Sequence, residues 1–164
     1  MFNFLRRRPV LHNAMSSPMS GEIASIMSIP DEVFSDKILG DGFCVIPTDG
    51  EIKSPVSGEI SQVADTLHCW CIKSNDGLEI LLHVGVDTVN LKGKAFKSFV
   101  KVGKKVRAGD LIGSADLAMI KEKGFPLHTA IVITNMSKIK KLTPKFCEDA
   151  KSGYTIALEY ELTK

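Results

Sequence analysis

The chain has 164 residues, of which 44% are hydrophobic and 24% are charged. Its length suits about one domain, and its composition excludes a disordered chain, a collagen-like chain and a small disulfide scaffold. The net charge of +2 gives no chain-wide field that would attract nucleic acid, so we expect no nucleic-acid partner.

The first twelve residues differ in composition from the rest of the chain. They are basic and apolar, and Pro9 would end any helix there. The arginines at 6–8 follow the apolar residues, which is not the order of a secretory signal. We expect residues 1–12 to be a flexible basic tail, able to contact an anionic membrane surface weakly, and residues 13–164 to be the folded domain.

The cysteines and the apolar runs indicate the compartment. The four cysteines, at positions 44, 69, 71 and 147, contain no C-x-x-C pair. This spacing favours reduced thiols in a cytoplasmic protein over disulfides or a zinc knuckle. No apolar run approaches the roughly 20 residues of a membrane-spanning helix.

Short apolar runs separated by turn residues dominate the chain from residue 14 onward. In chain order, the strand runs are 43–46, 69–72, 78–84 and 129–134, and only 115–122 and 137–142 look helical. Many short strands with frequent turns are typical of sandwiches and barrels. We therefore predict an all-β fold, an antiparallel β-sandwich or barrel-sandwich with one or two short helices.

The sequence contains an internal repeat. Residues 17–23 return as residues 54–60, an offset of 37, with six of seven positions identical. Each copy carries a Ser-Pro pair and then a Gly-Glu-Ile, which predicts a corner that begins a strand. A third segment, residues 102–110, has related valine and Gly-Asp spacing, so we expect a duplicated strand unit.

Two histidines flank a predicted hairpin turn, Asn75-Asp76-Gly77. If residues 75–76 form the loop, His68 lies directly opposite His83; if residues 76–77 form it, the two histidines are diagonal neighbours. Both registers place the imidazoles on one face, with directly opposed Cβ atoms about 5 Å apart. Only an odd-length loop would separate them.

Alternation along this hairpin then predicts two faces. The apolar face, which should be the core, contains Leu67, Cys69, Cys71, Ile80, Leu82 and Val84. The opposite face contains His68, Trp70, Ile72, Glu79, Leu81 and His83. Two polar rings within an apolar surround favour a docking patch on this second face.

Neighbouring residues suggest how the histidines are oriented. Thr66 is placed for its hydroxyl to fix the tautomer of His68. Gly85 is placed for its carbonyl to accept a hydrogen bond from Nδ1 of His83, which would leave Nε2 free as a nucleophile. His12 lies in the tail, and His128 is interpreted as structural.

Residues 77–89 closely resemble the active-site signature of the glucose-type enzyme IIA family. These are phosphocarrier domains of the bacterial phosphoenolpyruvate-dependent sugar phosphotransferase system. The resemblance covers roughly residues 14–162, through segments at 30–34, 40–43, 91–93, 106–110 and 131–136 and at Phe96.

This resemblance implies a function and a set of roles. His83 would accept a phosphoryl group on Nε2, His68 would contact that phosphate, and Thr66 and Gly85 would orient the two rings. The donor would be the phosphohistidine of HPr and the acceptor a cysteine of an enzyme IIB domain. The protein would then be a phosphotransferase component, needing no cofactor or metal and acting as a cytoplasmic monomer. The sugar is not encoded here, because its specificity lies mainly in a membrane-bound IIC domain.

The resemblance also extends the docking patch beyond the hairpin. Phe34 should lie near the histidines, Val84 and Val86 should exclude water with it, and Asp87 and Asp31 should meet cations of HPr at the rim. With Trp70 and Leu81 from the hairpin, these residues form the expected partner surface.

Three other classes of protein remain as alternatives. A zinc hydrolase on a similar fold needs three protein ligands and typically carries an H-x-H pair, whereas Leu81 and Gly85 occupy the positions two residues before and after His83. A related alternative is a transient zinc ion held by His68, His83 and a carboxylate of a partner protein. A lipoyl- or biotin-carrying module needs a lysine at a hairpin tip. A purely regulatory binding protein would have lost transfer altogether.

Overall fold

In a computed structural model, which describes residues 12–164, every strand pairing in the described range is antiparallel. The predicted all-β class with few short helices is confirmed. The predictions of a basic tail and its membrane contact fall on residues 1–11, outside the described residues, and on residue 12. No helix within residues 12–164 is long and apolar enough to cross a bilayer.

Fourteen strands, two short α-helices and three 3-10 helices make up the described chain. The strands are β1 (Ala14–Ser16), β2 (Gly21–Ser25), β3 (Asp41–Pro47), β4 (Glu51–Lys53), β5 (Gly58–Val63), β6 (Cys69–Ser74), β7 (Glu79–His83), β8 (Phe96–Ser98), β9 (Lys105–Val106), β10 (Leu111–Ala115), β11 (Thr129–Ile133), β12 (Ile139–Pro144), β13 (Cys147–Ala150) and β14 (Ile156–Leu162). The α-helices are α1 (Glu32–Ser35) and α2 (Leu117–Glu122), and the 3-10 helices are Ile26–Ser28, Thr88–Leu91 and Met136–Lys138.

The strands form one large sheet and two small ones. The large sheet has eight strands in the order β13-β2-β3-β11-β7-β6-β5-β9, and the small sheets have the orders β1-β14-β12 and β4-β10-β8. Strands β7 and β11 lie in the middle of the large sheet, so the histidine at the end of β7 is held by ladders on both sides.

Both faces of the large sheet are covered. Along β11, Ile131 and Ile133 belong to the main core, which also takes residues from both small sheets. Ala130 and Val132 point the other way, into a second cluster closed by Ile26 of the first 3-10 helix and Phe34 of α1. This second cluster matters for function because Phe34 also reaches the histidine pair.

The duplicated segments form equivalent structures. In each copy the serine hydroxyl donates to the carbonyl two residues on: Ser17 to Met19 at 2.7 Å and Ser54 to Val56 at 2.6 Å. A strand starts at the glycine of each copy, Gly21 for β2 and Gly58 for β5, as the repeat predicts.

The two copies also bond to each other reciprocally. The N–H of Ser16 donates to the carbonyl of Pro55, and the N–H of Lys53 donates to the carbonyl of Pro18, at 3.1 and 2.8 Å. Each donor and each acceptor differs from its counterpart by the 37-residue offset of the repeat. The two copies are therefore related by a local twofold arrangement of hydrogen bonds, which supports a duplicated strand unit over a chance similarity of turns.

The helix predictions were partly wrong. Residues 115–122 do contain α2, but residues 137–142 lie in the end of a 3-10 helix and in β12. That segment pairs with β14, so sheet pairing overrides its local helical preference. The sequence analysis also missed α1, which Asp31 caps by accepting from the N–H of Val33 at 3.0 Å.

Candidate functional site

The acceptor candidate, His83, is the last residue of β7 and is partly buried. Its Nδ1 lies 2.9 Å from the carbonyl oxygen of Gly85. A carbonyl only accepts hydrogen bonds, so Nδ1 must carry the proton and the neutral ring presents an unprotonated Nε2. The hydrogen bond expected from the sequence is present.

The backbone of Gly85 has a positive φ of 75°, in the region that favours glycine. A Cβ there would lie 2.5 Å from Cγ2 of Thr88 and 3.1 Å from the carbonyl oxygen of Pro126. The turn is closed by the Thr88 hydroxyl, which donates to the carbonyl of Val84 at 2.5 Å. These contacts hold the carbonyl of Gly85 in place, and that carbonyl in turn orients the ring of His83.

The second histidine, His68, lies just before β6 and is 9% exposed. Its ring meets that of His83 edge to face, with centroids 4.8 Å apart and an interplanar angle of 82°. Oγ1 of Thr66 lies 2.7 Å from Nδ1 of His68. A hydroxyl can donate or accept, so Thr66 supports either tautomer of His68, unlike the carbonyl that holds His83.

The hairpin register differs from both registers expected from the sequence. Cys69, not His68, pairs with His83, and Lys73 pairs with Glu79. The loop is therefore odd in length, comprising residues 75–77. Ser74 stabilises this loop, because its hydroxyl bonds to the Asp76 carboxylate and accepts from the N–H of Leu78.

The one-residue shift exchanges the predicted faces. Trp70 and Ile72 are fully buried and pair with Leu82 and Ile80 in the main core. The docking role predicted for Trp70 is therefore wrong; its Nε1 donates to the hydroxyl of Ser98 at 3.2 Å. Conversely, Cys69 and Cys71, expected in the core, occupy the face of Leu81 and His83.

The histidines still meet because His68 lies outside the regular strand. Its carbonyl accepts from the N–H of Val84 at 2.9 Å, and Leu67 before it has a positive φ of 57°. Gly85, after β7, also has a left-handed backbone. The regular alternation of side chains therefore stops just before β6 and just after β7, so it does not determine the direction of the His68 side chain. The prediction of paired imidazoles is confirmed, although the register that led to it was wrong.

The residues expected around the pair divide into buried and exposed groups. The ring of Phe34 lies 5.1 Å from that of His83 and is 4% exposed. Val84 and Val86 are buried as well, so they suit water exclusion better than direct docking. Leu81 is partly buried, Asp87 is exposed, and the carboxylate of Asp31 caps α1 at the margin of the site.

Both imidazoles are held in the neutral form. Burial, with a smaller contribution from the neighbouring His68, lowers the pKa of His83 to about 4. Burial also lowers the pKa of His68 below its usual 6.5. At neutral pH, His83 therefore offers a lone pair on Nε2 without prior loss of a proton.

Several apolar residues near the site were missed by the sequence analysis. Phe96 was included in the family resemblance without a role at the site, and its ring centroid lies 6.5 Å from that of His68. Five exposed apolar side chains lie on segments whose neighbouring residues Ile26, Phe34 and Val86 pack together near the pair: Met27 on the first 3-10 helix, Val33 on α1, Ile38 and Leu39 just after α1, and Val89 on the second 3-10 helix. The sequence does offer a signal for four of the five, because apolar residues at 26–39 fall outside any strand pattern and so were available for an exposed surface. We call this group of five the apolar rim.

His68 and His83 together supply two metal ligands, whereas a zinc hydrolase needs three. Within residues 12–164, no group of three or more histidine, cysteine, aspartate or glutamate side chains is placed to hold a metal ion.

Comparisons with known proteins agree with this fold. Residues 13–139 match the family model for the phosphoenolpyruvate-dependent sugar phosphotransferase system, EIIA 1. The chain is similar to a PTS system glucose-specific EIIA component of Halalkalibacterium halodurans, 40% identical over 139 residues, which cover 85% of this chain and 80% of the relative. A protein of the same name from Buchnera aphidicola subsp. Acyrthosiphon pisum is 44% identical over 141 residues, which cover 86% of this chain and 83% of that one.

A solved structure is also similar to this chain. Glucose permease IIA from Mycoplasma capricolum superposes with a TM-score of 0.82 at 35% identity, covering 88% of this chain and 94% of that one. The fold and the matches define a phosphotransferase-system protein. The chain belongs to the EIIA 1 family of the phosphoenolpyruvate-dependent sugar phosphotransferase system.

Proposed function

We propose that this chain accepts a phosphoryl group from phospho-HPr on Nε2 of His83 and passes it to a cysteine of an enzyme IIB domain during sugar uptake. The observation that carries the proposal is the hydrogen bond from Nδ1 of His83 to the carbonyl of Gly85, 2.9 Å long. It leaves Nε2 as the nucleophile, beside a second imidazole whose centroid is 4.8 Å away.

The first half-reaction exchanges one P–N bond for another. Nε2 of His83 attacks the phosphorus, and the P–N bond of the donor's phosphohistidine breaks, returning the electron pair to the donor's ring. The attacking ring becomes positively charged while Nδ1 keeps its proton. The Gly85 carbonyl faces that N–H, so it stabilises the cation as it forms.

His68 has a different role in this proposal. Phosphoryl transfer has a loose transition state, with charge spread over three equatorial oxygens. When the Thr66 hydroxyl donates to Nδ1 of His68, Nε2 of His68 carries a proton and can donate to one of those oxygens as the phosphoryl group leaves His83 for the IIB cysteine. His68 would then lower the barrier by positioning and charge stabilisation, not by bonding to phosphorus.

Apolar packing would protect the intermediate. Phe34 lies 5.1 Å from His83 between ring centroids, and the nearby Val84 and Val86 are buried. Such packing excludes water from a P–N bond that is labile to hydrolysis. The same side chains leave the exposed part of His83 open to a docked partner.

The apolar rim is the proposed docking surface for HPr and enzyme IIB. Ile38 and Met27 are 68% and 66% exposed, a large exposure for apolar side chains on the segments that precede and follow the helix of Phe34. Asp87 remains a proposed charged contact at the margin of this surface. Two cations, Lys92 and Lys94, also lie near the site, because Gly93 between them approaches the backbone of Thr66. The margin of the site, outside the apolar rim, therefore carries charges of both signs.

The names of the similar proteins, glucose-specific EIIA components, make glucose the first sugar to test. We also propose that the protein acts in the cytoplasm as a soluble component of the relay, in keeping with a donor chain that begins from phosphoenolpyruvate.

The decisive experiment is a complete relay with purified components. Incubation with phosphoenolpyruvate, enzyme I and HPr should add one acid-labile phosphoryl group to the chain, detected by intact mass, and omission of HPr should prevent it. His83→Gln should remove the signal, whereas His128→Gln, outside the pair, should keep it. Acid-labile phosphate on His83→Gln would show that the site is wrong.

A further inference from the structure

Positive charge is concentrated in one short segment of the chain. Residues 92–107 contain seven of the 21 lysines and arginines and none of the 19 aspartates and glutamates, so the other residues carry 14 basic and 19 acidic side chains, a net charge of −5. All seven cations are exposed: Lys92, Lys94, Lys97, Lys101, Lys104, Lys105 and Arg107. Within residues 12–164, none of them forms an ion pair with a carboxylate. A group of like charges without partners favours an anionic surface as its binding partner.

Large apolar side chains are exposed within the same segment. Phe99 is 54% exposed and Val102 is 63% exposed. In the sequence, Phe99 lies between Lys97 and Lys101, and Val102 lies between Lys101 and Lys104. Charge alone would keep such a segment in water, where exposed apolar side chains are unfavourable. Cations interleaved with apolar side chains suit the interface of a bilayer, which has anionic headgroups above apolar acyl chains.

A closed turn holds Val102 at its tip. The N–H of Lys104 donates to the carbonyl of Lys101 at 3.1 Å, and the φ of Gly103, 93°, suits the third position of a type II turn. The turn is fastened to β5, because the N–H of Gly103 donates to the carbonyl of Ile60 at 2.8 Å and the N–H of Ile60 donates to the carbonyl of Lys104 at 2.9 Å. Val102 is therefore presented on a preformed support, which lowers the cost of ordering on binding.

Phe99 extends this surface along the edge of a sheet. Its N–H donates to the carbonyl of Ile112 in β10 at 2.9 Å, so it continues the pairing of β8 with β10. Strand β8 is an edge of its three-stranded sheet, and Leu111, the first residue of β10, is 43% exposed. No further strand of the described chain pairs with the outer side of β8, which leaves Phe99 accessible to a partner.

Three carboxylates border the segment. Glu59 lies on β5, Asp110 lies in the turn after β9, and Asp116 caps α2. None of the three forms an ion pair with a lysine of residues 97–104. Those lysines therefore keep their charge available to a partner outside the chain.

We propose that residues 92–107 bind the surface of an anionic phospholipid bilayer, with Phe99 and Val102 inserted between the headgroups. The lysines would then lie against lipid phosphates while the two apolar side chains reach the boundary with the acyl chains. A nucleic acid would also attract the lysines, but its bases bind by stacking on aromatic side chains, and Phe99 is the single exposed aromatic residue of the segment. This proposal does not depend on phosphoryl transfer.

The first test is vesicle binding by the full chain. Wild type should sediment with vesicles of phosphatidylcholine containing about 30% phosphatidylglycerol in about 0.1 M salt, and at least tenfold less with pure phosphatidylcholine or in about 0.5 M salt. Lys101→Gln/Lys104→Gln should bind about 25-fold more weakly, about fivefold for each cation lost. Lys140→Gln/Lys141→Gln changes the net charge equally on β12 and should bind as wild type. Equal losses in the two double variants would overturn the proposal, since net charge alone would explain the binding.

Matched aromatic changes separate a bilayer from other anionic partners. Phe99→Ser should weaken vesicle binding about tenfold, whereas Phe146→Ser, at a residue 59% exposed between β12 and β13, should not. Val102→Trp should show a blue shift of tryptophan fluorescence on the anionic vesicles, over the constant signal of the buried Trp70. Binding to duplex DNA or heparin that depends on Lys101 and Lys104, with no blue shift on vesicles, would overturn the lipid assignment.

The basic tail requires its own variant, because it is also expected to contact membranes. Arg6→Gln/Arg7→Gln/Arg8→Gln retains residues 92–107 unchanged, so it should still bind anionic vesicles and still lose about 25-fold when Lys101→Gln/Lys104→Gln is added. Loss of all binding in the tail variant, with wild-type binding in the lysine variant, would overturn the proposal and leave the tail as the membrane contact. A chain that binds vesicles but accepts no phosphate would contradict the proposed function and support this proposal.

Discussion

The ring of His83 is oriented by the residue two positions further along its own chain, because Nδ1 lies 2.9 Å from the carbonyl oxygen of Gly85. The positive φ of Gly85 allows that carbonyl to face the strand it follows. The tautomer of His83 is therefore set by the backbone, whereas His68 bonds to a side-chain hydroxyl, that of Thr66, which accommodates either tautomer.

A side chain at Gly85 should disrupt this arrangement. In Gly85→Ala the new Cβ would meet Cγ2 of Thr88 at 2.5 Å in addition to the unfavourable φ. We expect a loss of roughly 2–4 kcal/mol in the free energy of unfolding and at least tenfold slower phosphorylation. Urea denaturation and the relay assay measure the two effects.

Gly124→Ala is the matched control for this change. Its φ of 86° carries the same backbone cost, but nothing lies within 4 Å of the new Cβ. It should lose about 1–2 kcal/mol and leave the rate of phosphorylation unchanged. Equal rates for the two variants would mean that the Gly85 carbonyl does not position His83.

His68→Gln should separate the two half-reactions. His83 remains, so phospho-HPr should still phosphorylate the chain. Transfer onward to the IIB cysteine should fall by about 10²–10³-fold, since one donor to the transition state is lost. Rapid-quench measurement of each half-reaction tests this, and equal losses in both would contradict the proposed role of His68.

Acid should protonate His83 only well below neutrality. Because its pKa is lowered to about 4, the rate of phosphorylation should stay level from pH 8 to about 5 and decline below that. An NMR titration of the His83 ring should have its midpoint near 4, and in His68→Gln the midpoint should rise because a like charge is removed. A midpoint near 6.5 in wild type would show that burial does not control this ring.

The same shift links folding stability to pH. The folded pKa of His83 is lower than the unfolded value of 6.5, so between about pH 6.5 and 4 the unfolded chain binds more protons. Stability should therefore fall as pH drops through this window, by up to about 3 kcal/mol from this group. In His83→Gln the fall should be smaller by that amount, as chemical denaturation at each pH would measure; an unchanged fall would contradict the linkage.

A charge on the apolar rim should weaken docking. Ile38, 68% exposed, follows the helix whose Phe34 contacts His83. Ile38→Asp should raise the KM for phospho-HPr by about tenfold or more, with stability unchanged. Val102→Asp, at a residue 63% exposed on the turn before β9, is the control and should have the KM of wild type. If both variants raise KM equally, the docking surface lies elsewhere.

The sequence permitted a correct prediction of the fold class because strand runs and turn residues are local signals. The repeat also predicted matching corners, which the reciprocal bonds of Ser16 and Lys53 confirm. Residues 137–142 were predicted wrongly because their pairing partner, β14, is distant in the sequence.

The hairpin shows where local reasoning failed. The loop length depends on the side chain of Ser74, which bonds to Asp76 and Leu78 and stabilises a three-residue loop where a two-residue loop was expected. That one residue moved Trp70 into the core and brought Cys69 to the face of His83. The hydrogen bonds of Thr66 and Gly85 were predictable, since each depends on residues two apart in the chain.

The most direct test of the account is the identity of the phosphorylated atom. The chain, labelled with ¹⁵N in its histidine rings, would be phosphorylated by phosphoenolpyruvate, enzyme I and HPr and examined by ¹⁵N and ³¹P NMR. We expect one phosphoryl group on Nε2 of His83, with Nδ1 still protonated. Phosphate on Nδ1 of His83, or on His68, would contradict it.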